Sequence, residues 1–154
     1  MNNGYYIIDA HCHIYPAKIA ARAAAGIGTF YRTKSACGGT AEELLRRADA
    51  CGIDRFIVES VATSAHQVRD INEFIAAEVA AAGGRFFGLG TLYPDSPDLV
   101  GDYRHLRELG LHGVKLHPDI QGFKIDDFRC LRIYRFSIQS FAHEIILDIG
   151  NKVI

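Results

Sequence analysis

Short apolar runs alternate along the chain with longer segments whose apolar residues recur at helical spacing. Five runs of four to eight residues predict strands at 5–8, 55–59, 85–92, 113–117 and 144–148. Helical patterns or helix-start signals predict helices between and beside them, at 16–25, 40–51, 66–82, 96–109 and 126–136. Regular alternation of this kind predicts a parallel sheet with helical crossovers, and therefore an α/β fold.

Local signals predict where several helices begin and end. Thr40 and Glu43 have capping-box spacing, in which each side chain accepts a hydrogen bond from the backbone N–H of the other. Ser96 is expected to cap the helix after the third strand, with Pro97 at its first position. The first helix is expected to end near Gly26, which leaves 28–39 as a loop.

Composition narrows the class of protein. With 154 residues, 49% of them apolar, the chain is expected to form one domain over 1–154. Its net charge of -1 argues against nucleic acid as a partner, and no apolar run is long enough to predict a membrane partner. Four widely spaced cysteines without a CxxC pair predict reduced thiols and a cytoplasmic location.

The first apolar run leads into Asp9, His11 and His13, which occupy alternate positions. Because successive side chains of a strand point to opposite faces, these three are expected to share one face. Two imidazoles at this spacing can bind one divalent cation of the Zn, Fe, Ni or Mn type. The alternative is a pair of histidines hydrogen-bonded in a core, and Asp9 either orients a ligand or forms a turn.

Polar groups also follow the other predicted strands. They are Glu59 after strand two, Tyr93-Pro94-Asp95 after strand three, and Lys115 and His117 at strand four. In α/β barrels the active site lies at this end of the strands. His117 is therefore expected either to line a site or to pack in the core, and Glu59 either to reach the site or to remain solvated.

Three segments resemble the amidohydrolase superfamily, in particular the amidohydrolase-related branch that includes aminocarboxymuconate-semialdehyde decarboxylase-like enzymes. Residues 7–16 (IIDAHCHIYP) resemble its first strand, 87–94 (FGLGTLYP) its third, and 113–123 (GVKLHPDIQGF) its fourth. The resemblance covers 5–134, and 135–154 match poorly. It implies an incomplete (β/α)8 TIM barrel, truncated after about the first five β/α units.

The resemblance implies metal-dependent hydrolysis of a C–N or C–O bond, or a related decarboxylation, of a small-molecule substrate. His11 and His13 would be the metal ligands, with zinc as the expected ion, and His117 and Asp148 the catalytic residues. Asp148 stands where the family has a histidine at strand five. Lys115 is either a salt-bridged strand lysine or, as in some amidohydrolases, a carbamylated ligand.

The base that the family carries on strand eight has no counterpart in this sequence, so we expect the chain alone to be weakly active or inactive. The alternative is a non-catalytic fragment or interaction module derived from that family. Unpaired strand edges also predict self-association.

Overall fold

The structure is a computed structural model that describes residues 4–139 and 144–147, and the side chains of 4–136. The elements, in chain order, are β1 (Ile8–His13), α1 (Ala17–Tyr31), α2 (Ala41–Cys51), β2 (Arg55–Glu59), a 3-10 turn (Ala65–Gln67), α3 (Val68–Ala81), β3 (Phe86–Gly88), β4 (Gly90–Thr91), α4 (Leu99–Glu108), β5 (Gly113–Leu116), α5 (Pro118–Gln121), α6 (Phe128–Gln139) and β6 (Glu144–Leu147). No helix among the described residues is long and apolar enough to cross a membrane.

Every strand pair is parallel, as the alternating pattern predicted. The strands lie side by side in chain order, as β1-β2-β3 and β4-β5-β6. The predicted third strand is divided at Leu89, whose N–H donates to the Val58 carbonyl at 2.9 Å. Within the described part of the chain, β1 pairs only with β2 and β6 only with β5, so the strands do not close into a barrel.

Asn72, a buried residue of α3, explains how the divided strand is held. Its side-chain oxygen accepts from the Thr91 N–H at 2.7 Å, and its amide donates to the Thr91 carbonyl at 3.0 Å. The side chain thus replaces ladder hydrogen bonds where the strand changes partners. Helix packing is close here, because a Cβ added at Gly90 would overlap Leu106 of α4.

The core lies between the strands and helices α3 and α4. Val58, Val114 and Leu116 from the strands are fully buried, as are Ile75 of α3 and Leu106 of α4. All four residues of β5 are buried, which is typical of a parallel strand covered on both faces. The apolar runs of β2 and β5 therefore contribute to this core.

The first strand lies later in the chain than predicted. The apolar run at 5–8 was expected to be the strand, but Tyr5 is 75% exposed and ladder pairing begins at Ile8, opposite Arg55. Pairing continues to His13, opposite Glu59, so the histidines lie within the strand. Hydrogen bonding to β2, rather than hydrophobicity, determines these bounds. A register shift between Asp9 and Cys12 also interrupts the simple alternation.

The first helix extends beyond its predicted end. It continues through Gly26 to Tyr31 and ends at Arg32, whose φ of 55° lies in the left-handed region. Gly28 is buried in this helix, and a Cβ there would lie 2.7 Å from the Thr33 carbonyl oxygen. Gly28 therefore permits the following segment to approach the helix closely. Neither Gly26 nor Gly28 ends the helix.

Two capping predictions are corrected. Thr40 caps α2 by accepting from the Glu43 N–H at 3.2 Å, but Glu43 accepts from Gly38 rather than Thr40, so only half of the box forms. Ser96 does not cap α4. Asp98 accepts from the Gly101 N–H at 3.1 Å, and α4 begins after it.

Candidate functional site

Two histidines and one carboxylate meet at the carboxyl ends of β1 and β2. His11 and His13 belong to β1, and Glu59 is the last residue of β2. The parallel register places His13 opposite Glu59. Lys115 of β5 reaches the same group from the other strand set. The site is therefore built on strands rather than loops, which limits how far its side chains can move.

His11, His13 and Glu59 each offer one atom that can bind a metal, and these three atoms lie within 4.8 Å of one another. The Nε2 atoms of His11 and His13 are 3.2 Å apart, and Glu59 Oε1 lies 3.1 Å from the first and 3.7 Å from the second. Two nitrogens at the usual zinc–nitrogen distance in a tetrahedral site are about 3.3 Å apart. The spacing of the two imidazoles therefore fits a bound cation of zinc size.

The second oxygen of Glu59 gives independent support for a cation. Glu59 has no exposed surface, and its Oε2 has no hydrogen-bond partner among the described residues. A buried carboxylate oxygen without a partner is costly unless a cation or donor completes it. Two imidazoles, one carboxylate and an open fourth position are a typical ligand set of catalytic zinc sites. The residues present thus fit a divalent metal.

Lys115 is the second partner of Glu59. Its side chain is fully buried, and Nζ lies 2.5 Å from Glu59 Oε1 and 3.2 Å from His11 Nε2. Of the two alternatives for this lysine, the structure shows the salt bridge. It also shows that Glu59 is not the solvated carboxylate that was one reading of the sequence.

Asp9 organises the backbone of the strand. Its carboxylate accepts from the His11 N–H at 3.2 Å, which is the turn-type contact of the two roles considered for it. Burial, assisted by Asp9, raises the pKa of the Cys12 thiol to about 12. Burial and then the charge of Glu59 raise the pKa of Tyr15 to about 12. Both groups therefore remain protonated beside the site at neutral pH.

His117 follows β5 and is 2% exposed. Its Nδ1 accepts from the Ile120 N–H at 3.3 Å, and its Nε2 lies 2.6 Å from the Tyr31 hydroxyl oxygen. A backbone N–H can only donate, so Nδ1 of the neutral ring carries no proton. The hydrogen-bond network thus assigns the Nε2–H tautomer, with His117 donating to Tyr31.

A cavity of about 820 Å³ opens onto this group of residues. His13 and His117 line it together with Ser60, and α1 and α3 form its walls. Its volume is in the range that holds small organic ligands. The structure therefore joins the two histidines to a space that a small molecule could occupy.

The predicted site residues have different outcomes. His11 and His13 lie together, and His117 lines the adjoining cavity, while Asp148 lies outside the described residues. Sequence reasoning did not select Glu59 as a ligand, although its place at the end of strand two was a usable signal. Tyr31 was missed because it lies in a segment predicted to be a loop.

Comparison with known proteins gives matches among solved structures. No protein-family model matches the chain, and no curated protein matches it. A probable 2-pyrone-4,6-dicarboxylic acid hydrolase from Acinetobacter baumannii, solved with citric acid bound, is similar with a TM-score of 0.59 and 14% identity, over 93% of this chain and 49% of that one.

Two 5-carboxyvanillate decarboxylases are also similar. The enzyme from Sphingomonas paucimobilis has a TM-score of 0.61 and 20% identity, over 84% of this chain and 48% of that one. The enzyme from Novosphingobium aromaticivorans has a TM-score of 0.67 and 21% identity, over 88% and 49%. It was solved with manganese and 3-methoxy-4-hydroxy-5-nitrobenzoic acid bound.

These matches show the fold of the chain. The neighbours have the TIM-barrel fold and belong to the amidohydrolase superfamily, so the resemblance found in the sequence is confirmed at the level of fold. The chain spans about half the length of the solved structures it matches.

Proposed function

We propose that this chain forms the metal-binding part of a hydrolase or decarboxylase that acts on a small molecule. His11, His13 and Glu59 would hold a divalent cation, and zinc is the first candidate. The observation that carries the proposal is the convergence of three ligand atoms within 4.8 Å, with a buried carboxylate oxygen left for a cation. We further propose that residues 1–154 are one domain equivalent to about the first five β/α units of a barrel.

A divalent cation bound here would lower the pKa of water and polarise a carbonyl oxygen of the substrate. The protein residues have separate tasks. Glu59 would supply negative charge to the cation, and Lys115 holds that carboxylate in place through its Oε1, the oxygen that also faces the histidines. His117 lines the cavity and donates its Nε2–H to the Tyr31 hydroxyl oxygen, which orients that hydroxyl. Asp148 remains a predicted catalytic residue.

Zinc and manganese are both compatible with this ligand set. Imidazole nitrogen favours zinc, whereas carboxylate oxygen is accepted by either ion. Manganese is present in the Novosphingobium aromaticivorans decarboxylase. We retain zinc as the primary proposal because two imidazoles and one carboxylate are a typical ligand set of catalytic zinc sites.

Metal analysis of the purified chain tests the proposal. After incubation with zinc or manganese and removal of free ion, we expect about one equivalent in the wild type and none in H11A/H13A. The control H66A removes an exposed histidine whose Nε2 lies 3.5 Å from Ser64 Oγ, and it should keep the metal. Unchanged stoichiometry in H11A/H13A, with H66A also unchanged, would refute the ligand assignment.

A non-catalytic interaction module is the second candidate. Tyr5, Tyr6 and Ile8 are more than half exposed at the β1 edge, and such apolar surface favours association. The same protein sample separates the candidates. Metal-dependent turnover that H11A removes supports the enzyme, whereas a stable, associating chain that binds no metal supports the module. In either case we propose a cytoplasmic location, consistent with four free cysteines.

A further inference from the structure

The walls of the 820 Å³ cavity are mainly apolar and come from two facing helices. One wall is a face of α1 and the other a face of α3, and the side chains that form them are Ile19, Ala23, Ile27, Phe30, Ile71 and Phe74. Their spacings along each helix match one helical face. The polar floor with His13 and His117 lies at the strand ends. A ligand whose polar end reaches the floor must therefore place its remaining atoms between these walls.

The charges around the cavity disfavour an anionic body. The charged residues that line it, apart from histidine, are Lys18, Asp70 and Glu73, all of them exposed at its rim. No arginine is among the described residues that line the cavity. Asp70 also lies in the first turn of α3, where its carboxylate offsets the positive end of the helix dipole. Because Glu73 is also paired with His105 at 3.1 Å, the rim offers a second carboxylate on a ligand no net positive charge in return for its desolvation.

We propose that the substrate of this site carries one polar reacting group on an uncharged, mostly apolar body. This inference rests on the proposed function, because the reacting group is the part that would face His13 and the cation. It distinguishes this chain from the neighbour whose bound ligand is citric acid, a tricarboxylic acid. The body is selected by the walls from α1 and α3, and a rim without net positive charge disfavours polycarboxylates.

Three hydroxamic acids test the proposal by calorimetry on the metal-loaded chain. Acetohydroxamic acid measures the metal-directed group alone, octanohydroxamic acid adds an apolar body, and suberic acid monohydroxamate ends the same body in a carboxylate. We expect octanohydroxamic acid to bind more than about tenfold tighter than acetohydroxamic acid, because its methylenes leave water. Suberic acid monohydroxamate should lose most of that gain.

Variants locate the two effects. I27S should weaken octanohydroxamic acid binding by about threefold or more, while I27L, which keeps the wall apolar, should not. D70K, at an exposed position, should improve binding of suberic acid monohydroxamate by about two- to fivefold and leave octanohydroxamic acid unchanged. Circular dichroism and a melting curve for each variant confirm that it is folded.

A metal-free experiment separates failure of the cavity from failure of the metal site. The neutral dye N-phenyl-1-naphthylamine and the anionic dye 8-anilinonaphthalene-1-sulfonate are titrated into H11A/H13A. We expect the neutral dye to bind more than about tenfold tighter and I27S to weaken it. If no hydroxamate binds because no metal is held, the proposed function fails and this experiment alone decides the inference.

Two results would overturn the proposal. One is equal affinity of the loaded chain for octanohydroxamic and acetohydroxamic acids, which would mean that the apolar walls contact no ligand. The other is suberic acid monohydroxamate, or the anionic dye, binding as tightly as its neutral counterpart.

Discussion

Replacing Lys115 by methionine should destabilise the fold by about 3–5 kcal/mol, because it leaves the carboxylate of Glu59 buried without its ammonium partner. Both side chains have no exposed surface, and Lys115 Nζ lies 2.5 Å from Glu59 Oε1. Methionine has a similar length and apolar stem, so the packing cost should be below about 1.5 kcal/mol. Most of the loss is therefore assigned to the unpaired charge.

This loss is large compared with the whole stability of a domain, which is typically about 5–15 kcal/mol. The double variant E59Q/K115M removes both charges and leaves an amide, whose burial costs about 1–3 kcal/mol. We therefore expect the double variant to be more stable than K115M. The single variant E59Q should also be destabilised, because it leaves the buried ammonium of Lys115 without a carboxylate.

Urea denaturation followed by far-UV circular dichroism measures these differences. The midpoint should fall in K115M without a change in slope, and it should rise again in E59Q/K115M. In the wild type, a divalent cation at a concentration of about 100 times its dissociation constant should raise the free energy of unfolding by about 2.7 kcal/mol. A loss below about 1 kcal/mol in K115M, or a double variant less stable than both single variants, would refute the ion-pair argument.

Three further predictions follow from the contacts of the site and the strand edge. Nitrogen-15 NMR of the histidine side chains should show His117 as the Nε2–H tautomer, and an Nδ1–H signal would contradict the assignment. The variant Y31F removes the acceptor 2.6 Å from Nε2 and should lower the free energy of unfolding by about 1–3 kcal/mol. The thiol pKa of Cys12 rises from 9.0 to about 12 in the fold, so the unfolded chain loses this proton first and stability should fall as pH rises through that interval. C12A should reduce this loss of stability with rising pH, measured by urea denaturation at several pH values. An unchanged dependence of stability on pH in C12A would exclude Cys12 as the cause. Light scattering should show self-association that a Y5S/Y6S/I8T variant weakens, since these side chains are more than half exposed; a monodisperse wild-type monomer would contradict it.

The local pattern of the sequence was enough to predict the α/β class and several elements. Strand β2 occupies the predicted residues 55–59, and α2 begins after Thr40 and ends before Gly52, as its capping signals indicated. These predictions succeeded because the apolar run and the helix-end signals depend on residues within a few positions of each other. The two-residue spacing of His11 and His13 is likewise a local signal.

Competition between neighbouring side chains was not visible in the pattern. Ser96 and Asp98 are both good N-cap residues, and Asp98 caps α4, while Ser96 hydrogen-bonds the Asp102 carboxylate at 2.5 Å. The bounds of β1 were missed for a related reason. The run Tyr5–Ile8 is more apolar than the motif that follows, but pairing with β2 extends to His13.

The sequence by itself determined the order of strands and helices and the spacing of the two histidines. Only the tertiary structure decided which residues join them. Glu59 and Lys115 are 56 positions apart and Tyr31 and His117 are 86 apart, yet each pair is in hydrogen-bond contact. For Glu59 and Lys115 the physical reason is that parallel strands align their carboxyl ends whatever their separation along the chain, so charge pairing at that edge depends on the register of the sheet. Tyr31 reaches His117 from the end of α1, through the packing of that helix over the strand ends.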